Sequence, residues 1–136
     1  VGLQNYAKLF GSATFFKVLL STFVFAGGVV LLQTGLGLFL AVMLNSSLPG
    51  MRILQPVFFI PVVMSLTAWS LIWRLMLQND GAVNTMLAAV GITGPNWLRD
   101  GASAMVATIV VGAVKNAGVS MVLFLAALQA VPQELE

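Results

Sequence analysis

The chain has no cysteine and no histidine. Disulfides and thiolate metal sites are excluded, and so are the commonest general base and the commonest metal ligand. Charge is scarce too. Six basic and four acidic residues make up 7% of the 136, against about 25% in an average globular protein. The acids are Asp80, Asp100, Glu134 and Glu136. None of them interrupts an apolar run, so neither a catalytic site nor a carboxylate proton relay is expected, and no cofactor or metal is implied. A formal charge of +2 is too small for a nucleic-acid-binding stripe. The chain also lacks an initiator Met and a basic-then-apolar leader, and it stops in a polar turn. The expectation is a fragment of a longer protein.

What is abundant is apolar: 60% of the residues are hydrophobic. Ten charged side chains cannot cover the surface of a soluble fold this size, whereas a lipid bilayer removes the need to. Charges divide the sequence into runs. Between Lys17 and Arg52 every residue is uncharged, and the apolar part extends over about 18–44. A second run fills 53–73, between Arg52 and Arg74, and a third covers about 102–131, interrupted by Lys115. A spanning helix needs about 20 mostly apolar residues, so three spans are expected in an all-α, polytopic helical membrane protein.

The links between runs carry turn chemistry. Asn45-Ser46-Ser47-Leu48-Pro49-Gly50 reads as a short hairpin,. The link over 75–101 contains Asp80-Gly81 and Gly94-Pro95-Asn96, with a short helix expected over 82–90 whose Leu87 and Val90 face the bilayer or the bundle. Residues 1–17 place Leu3, Tyr6, Leu9 and Phe10 at helical spacing, either as a helix lying on the membrane surface or as a helix in a soluble loop. Three spans put the chain ends on opposite sides. Lys8, Lys17, Arg74 and Arg99 share the N-terminal side and Arg52 lies on the other, so the positive-inside rule places the N-terminal side in the cytoplasm.

Lys115 stands out within the third run. An ammonium near a helix centre costs about 2.5–3.5 kcal/mol on insertion scales, so such residues usually face a cavity or a partner. Snorkelling of its stem to an interface is the alternative. Gly112, Asn116 and Val119 share one helical face beside it, with Gly118 and Ser120 nearby. That pattern fits a polar solute path or close helix packing. Pro56 and Pro61 each remove a backbone donor, and a bend or break is expected between them, of the kind that borders transporter sites or serves packing. Gly35, Gly37 and Ala41 read as a helix contact. Trp69, Trp73 and Trp97 suit an interfacial aromatic belt.

The stretch Ala-Ala-Leu-Gln-Ala-Val-Pro-Gln-Glu-Leu-Glu over 126–136 resembles the lead-in to the coupling loop of binding-protein-dependent ABC importer permeases of the sugar and glycerol-3-phosphate type. There a membrane helix ends in Ala-Leu-Gln-x-Ile-Pro-x-Glu-Leu. Gly2-Leu3-Gln4-Asn5-Tyr6, Leu40–Asn45, Pro61, Trp73, Gly81-Ala82-Val83-Asn84 and Asn96-Trp97-Leu98 match the family in order, so the resemblance covers essentially the whole chain.

The resemblance implies a multi-pass subunit of the bacterial inner membrane, part of a larger transmembrane domain. Its expected partners are a second permease subunit, ATPase subunits and an extracytoplasmic solute-binding protein, besides the lipid bilayer. ATP hydrolysis would reside in the ATPase, since this chain carries no Gly-rich phosphate loop. Residues 1–17 and 75–101 would lie outside, with the Asn45–Arg52 hairpin and Glu134 inside, against the charge count. Gln129, Pro132 and Glu134 would lead into the coupling loop. Gly112, Asn116 and Val119 would match solute-contacting positions of maltose-transporting relatives; Gly112 and Val119 depart from the polar and aromatic types used there. Lys115 joins them as a candidate for the path. A non-transporting membrane anchor or scaffold is the competing reading, and a permease for amino acids or peptides the nearer one.

Overall fold

A computed structural model describes residues 2–46 and 50–130. Among them every regular element is an α-helix: α1 Gln4–Phe10, α2 Ala13–Asn45, α3 Met51–Val63, α4 Leu66–Met76, α5 Ala82–Ala89 and α6 Gly101–Ala130. By length and composition α2 and α6 each suffice to cross a membrane, and α3 with α4, counted together as one bent pair, would add a third span. At 33 and 30 residues, α2 and α6 run to about 50 and 45 Å, beyond the roughly 30 Å hydrocarbon thickness. Tilt or projection past the core absorbs the excess.

Small residues let α2 and α6 lie against each other. A Cβ on Gly28 would come within 2.7 Å of Ile109 Cδ1, and one on Gly37 within 2.5 Å of Ser120 Cβ. Further along, Ala41 and Leu44 pack with Met121 and Leu125 in a buried cluster, joined by Phe58 of α3. The partners climb together along both helices, so α2 and α6 are parallel. Gly35, expected at this contact, has nothing near it; it lies on the uncovered side of α2.

Gln33 donates from Nε2 to Ser120 Oγ at 3.0 Å, a hydrogen bond between α2 and α6. Such bonds average about 0.6 kcal/mol in membrane bundles. Ser120→Ala is therefore expected to lower the thermal stability of the protein slightly, by well under about 1 kcal/mol, in a denaturation series.

The return path along α6 is broken. Residues Met64 and Ser65 are both extended, with ψ of 141° and 146°, and α3 and α4 meet there at 99°. The expected bend between Pro56 and Pro61 is not where the chain turns: both prolines sit inside α3, and the break comes three residues after Pro61. A proline withdraws its own N–H and leaves the carbonyl four residues back without that donor, yet the helix continues for two more residues. Ser65 sets the new start, its Oγ accepting from the Ala68 N–H at 3.2 Å, as an N-cap does.

The two halves follow α6 in a single direction, as the halves of one broken span do. Phe58 O lies against Gly118, Pro61 and Met64 meet Lys115, Trp69 reaches Val111, and Trp73 and Leu77 border Ala104 and Ala107. The contacts descend α6 without doubling back, so the path through α3 and α4 runs opposite to α6, with α4 itself turned by 99° from α3.

At the N-terminal side α2 starts earlier than the apolar run suggested, at Ala13, and takes in Lys17. Only α1 remains of the amphipathic lead, with Leu3, Tyr6, Leu9 and Phe10 all exposed. Phe10 meets Phe15 edge-on at 5.6 Å. The link before α6 is organised by Asn84 of α5. Its Nδ2 donates to Asn79 O and Pro95 O, at 3.2 and 3.3 Å, and its Oδ1 accepts from Trp97 Nε1 at 2.8 Å. Val90, just past α5, is exposed. Asn84→Ala removes all three bonds, so α5 is expected to exchange its amide hydrogens faster in a hydrogen-exchange measurement while α2 and α6 stay as protected.

Candidate functional site: the face and the clasp of α6

Helix α6 presents two different neighbourhoods around its middle. Toward α3 it packs tightly. A Cβ on Gly118 would sit 2.6 Å from Phe58 O and 3.0 Å from Val62 Cγ2, so only glycine permits this approach. Ala113, Ala117 and Met121 are buried on the packed side. Gly112 differs: its nearest foreign atom would be Val29 Cγ2 at 3.8 Å, an ordinary contact. Tight packing explains Gly118 and leaves Gly112 open to another use.

Asn116 and Val119 are exposed, while Gly112 on the same side of α6 is half-buried next to Val29 of α2. The Asn116 Nδ2 donates to Gly112 O at 3.2 Å, so the amide lies along the helix over the glycine. A neutral amide both donates and accepts. The arrangement sets an amide over Gly112 and an apolar side chain, Val119, about one turn beyond Asn116.

Lys115 points elsewhere. Its Nζ donates to Pro61 O at 3.0 Å and to Met64 O at 2.9 Å, at the break between α3 and α4. These carbonyls belong to the end of a helix, where acceptors are left over and the macrodipole favours a cation. The Trp69 ring lies 6.0 Å from the same ammonium, at the outer limit for a cation–π contact. Two of the three ammonium donors are thus taken by protein.

Trp69 is not part of an interfacial belt. It is buried, donates from Nε1 to Val111 O at 3.1 Å, and meets Trp73 edge-on at 5.7 Å. Burying an indole between helices requires a partner for its N–H, and the Val111 carbonyl supplies it. The Trp97 N–H is likewise satisfied inside the 77–100 link, on Asn84.

The remaining candidates lie apart. Pro56 and Pro61 are on α3, where Pro61 contributes its carbonyl to Lys115. Gln129 is exposed near the end of α6, and Pro132 and Glu134 fall outside the described residues, as do Ser47, Leu48 and Pro49 of the hairpin. Sequence reasoning passed over Gln33 and Ser65, and met Asn84 only as part of a family match with no role assigned to its side chain. A polar residue inside an apolar run is itself a signal for interhelical bonding, and Gln33 carried it. Ser65 carried an N-cap signal.

Comparison with known proteins gives these features a setting. No protein-family model matches the chain. It is 33% identical over 136 residues, 99% of this chain and 46% of the relative, to the trehalose/maltose transport system permease protein MalF of Thermococcus litoralis. The lactose transport system permease protein LacF of Rhizobium radiobacter is also 33% identical, over 98% of this chain and 46% of its own length. The probable ABC transporter permease protein YesP of Bacillus subtilis shows 33% identity over 97% of this chain and 43% of its own. The crystal structure of a bacterial alginate ABC transporter, in complex with an alginate pentasaccharide-bound periplasmic protein, superposes with a TM-score of 0.88 over 99% of this chain and 48% of that one, at 22% identity. A helical membrane bundle with a broken crossing is thus the fold of an ABC-transporter permease segment. The chain is homologous to the permease proteins of ABC transporters, those of sugar transport systems among them, and it spans about half the length of the curated relatives it matches.

Proposed function

We propose that this chain forms part of the solute pathway in the permease subunit of an ATP-driven ABC importer for a sugar, in the bacterial inner membrane. The observation that carries this reading is the end-to-end alignment with permeases of trehalose/maltose and lactose systems at 33% identity. The likeness in fold to the alginate transporter supports the same architecture. A second permease subunit would complete the path, ATPase subunits would hydrolyse ATP, and an extracytoplasmic binding protein would deliver solute. In that setting residues 1–17 and 75–101 lie outside.

The face Gly112–Asn116–Val119 is the proposed lining. Gly112 leaves room for a ring or hydroxymethyl group, Asn116 offers a hydroxyl both a donor and an acceptor, and Val119 gives an apolar surface. To bind solute, the Asn116 amide exchanges its Gly112 O contact for a sugar hydroxyl, a low-cost exchange because that carbonyl belongs to the α6 ladder. Asn116→Ala should weaken apparent affinity by about 0.5–1.5 kcal/mol per hydrogen bond, up to about tenfold. Assembly and basal ATP hydrolysis should stay nearly unchanged. Uptake kinetics of the reconstituted transporter, beside its thermal stability, check this. Unchanged affinity with reduced stability would assign Asn116 to helix packing instead.

A further inference from the structure

The broken span has exchanged its own hydrogen bonding for that of a side chain from another helix. Ile60 O keeps a helical partner in the Met64 N–H, at 3.2 Å. Beyond it, Pro61 O and Met64 O receive the Lys115 ammonium. Helix α4 then restarts on its own cap, Ser65. Its attachment to α6 is narrow. Trp69 is buried, whereas Leu66, Leu71, Ile72 and Leu75 are exposed. The Trp69 indole bonds Val111 O, one turn before Lys115 on α6, and its ring lies beside the same ammonium. Next to the break, the angle between α3 and α4 is therefore held by Lys115 and Trp69, with Trp73 and Leu77 bordering α6 further along. Asn116 follows directly in the chain, about 100° further round the helix.

We propose that Lys115 is a positioning residue for transport: its ammonium clasps Pro61 O and Met64 O, fixes the bend of α3–α4 against α6, and thereby holds the Asn116 face in register with the broken span. A lysine lining a sugar path would direct its donors to solute, but here two of three are spent on backbone carbonyls at the end of a helix. The clasp follows from these contacts alone; its part in transport rests on the permease reading.

The absence of cysteine provides the test. Spin labels on Leu71→Cys of α4 and Leu123→Cys of α6, both at exposed positions, report the distance between the two helices in the membrane-embedded transporter. Lys115→Met keeps most of the stem and removes the donors. It should shift or broaden that distance distribution, and lower the maximal uptake rate between about tenfold and 100-fold, the scale of a roughly 1 Å misplacement. Apparent Km should stay within about twofold, because Lys115 does not touch solute. Lys115→Arg, which can still donate to both carbonyls, should restore the narrow distribution and much of the rate. Should Lys115→Met fail to assemble, Lys115→Gln, with its shorter amide donor, carries the same two readouts. An unchanged distance distribution in the donor-poor variant would overturn the clasp. A raised Km at undisturbed distances would overturn it in favour of a solute ligand. A disturbed distribution in a protein that moves no sugar would leave the clasp standing and defeat the permease reading instead.

Discussion

Gly118→Leu is expected to remove most of the correctly assembled protein from the membrane. A Cβ at this position would meet Phe58 O at 2.6 Å and Phe59 Cα at 3.3 Å. Both are backbone atoms of α3, which no rotamer change can move. The helices would have to separate, and with them the buried cluster of Leu44, Met121, Leu125 and Phe58. Overpacking of this kind costs about 1–3 kcal/mol, occasionally more. In a bundle held by close contact rather than by water exclusion, that is a large share of the total. Gly35→Leu serves as the control: nothing lies near a Cβ there, and a surface change stays within about 0.5 kcal/mol. Thermal unfolding of the two purified variants separates them. Equal stability of Gly118→Leu and the parent would refute the close approach of α3 and α6, and a loss at Gly35 would place a further helix over that side of α2.

Trp69→Ala should be nearly as damaging. The side chain is only 8% exposed, fills the space between α4 and α6, and supplies the N–H to Val111 O. Truncating a buried tryptophan costs about 3–5 kcal/mol in soluble cores. Lipid recovers part of the apolar transfer, which leaves roughly 2–3 kcal/mol from lost packing and the lost bond. Trp69→Phe retains a ring beside Lys115 and gives up the N–H, at about 0.5–1.5 kcal/mol. Chemical denaturation in detergent should rank the parent above Trp69→Phe and Trp69→Ala last. A Trp69→Ala variant as stable as the parent would return this residue to the interfacial belt.

The long helices were legible because an apolar run of this length has few other solutions. The uncharged run between Lys17 and Arg52 contains most of α2, and the turn chemistry at Gly94-Pro95-Asn96 announces the approach to α6. The resemblance over 126–136, together with the ordered matches from Gly2 to Leu98, was enough to place the chain in its family from sequence. The break in the second span was anticipated, but its position was not. Proline marks where a donor is missing; the place where a helix ends depends on who receives the freed carbonyls. That receiver, Lys115, lies 51 residues from Met64, beyond the reach of any local pattern. The same holds for Trp69, whose spacing from Trp73 suits a belt until Val111 O is found beside its N–H. Gly37 and Gly35 show the limit from another direction. They are two residues apart on one helix, but 200° of rotation puts one against Ser120 and the other in the open.

Accessibility at Asn116 tests most directly whether α6 lines a solute path. With no native cysteine in residues 1–136, and any cysteine elsewhere in the reconstituted transporter replaced, Asn116→Cys can be followed alone using a membrane-impermeant, water-soluble thiol reagent. Val30→Cys, on an exposed part of α2 away from α6 and α3, serves as the comparison. A solute path predicts that Asn116→Cys is modified, that saturating sugar slows the modification, and that Val30→Cys remains unmodified throughout. An Asn116→Cys variant as inert as Val30→Cys, or one modified at the same rate with and without sugar, would contradict it.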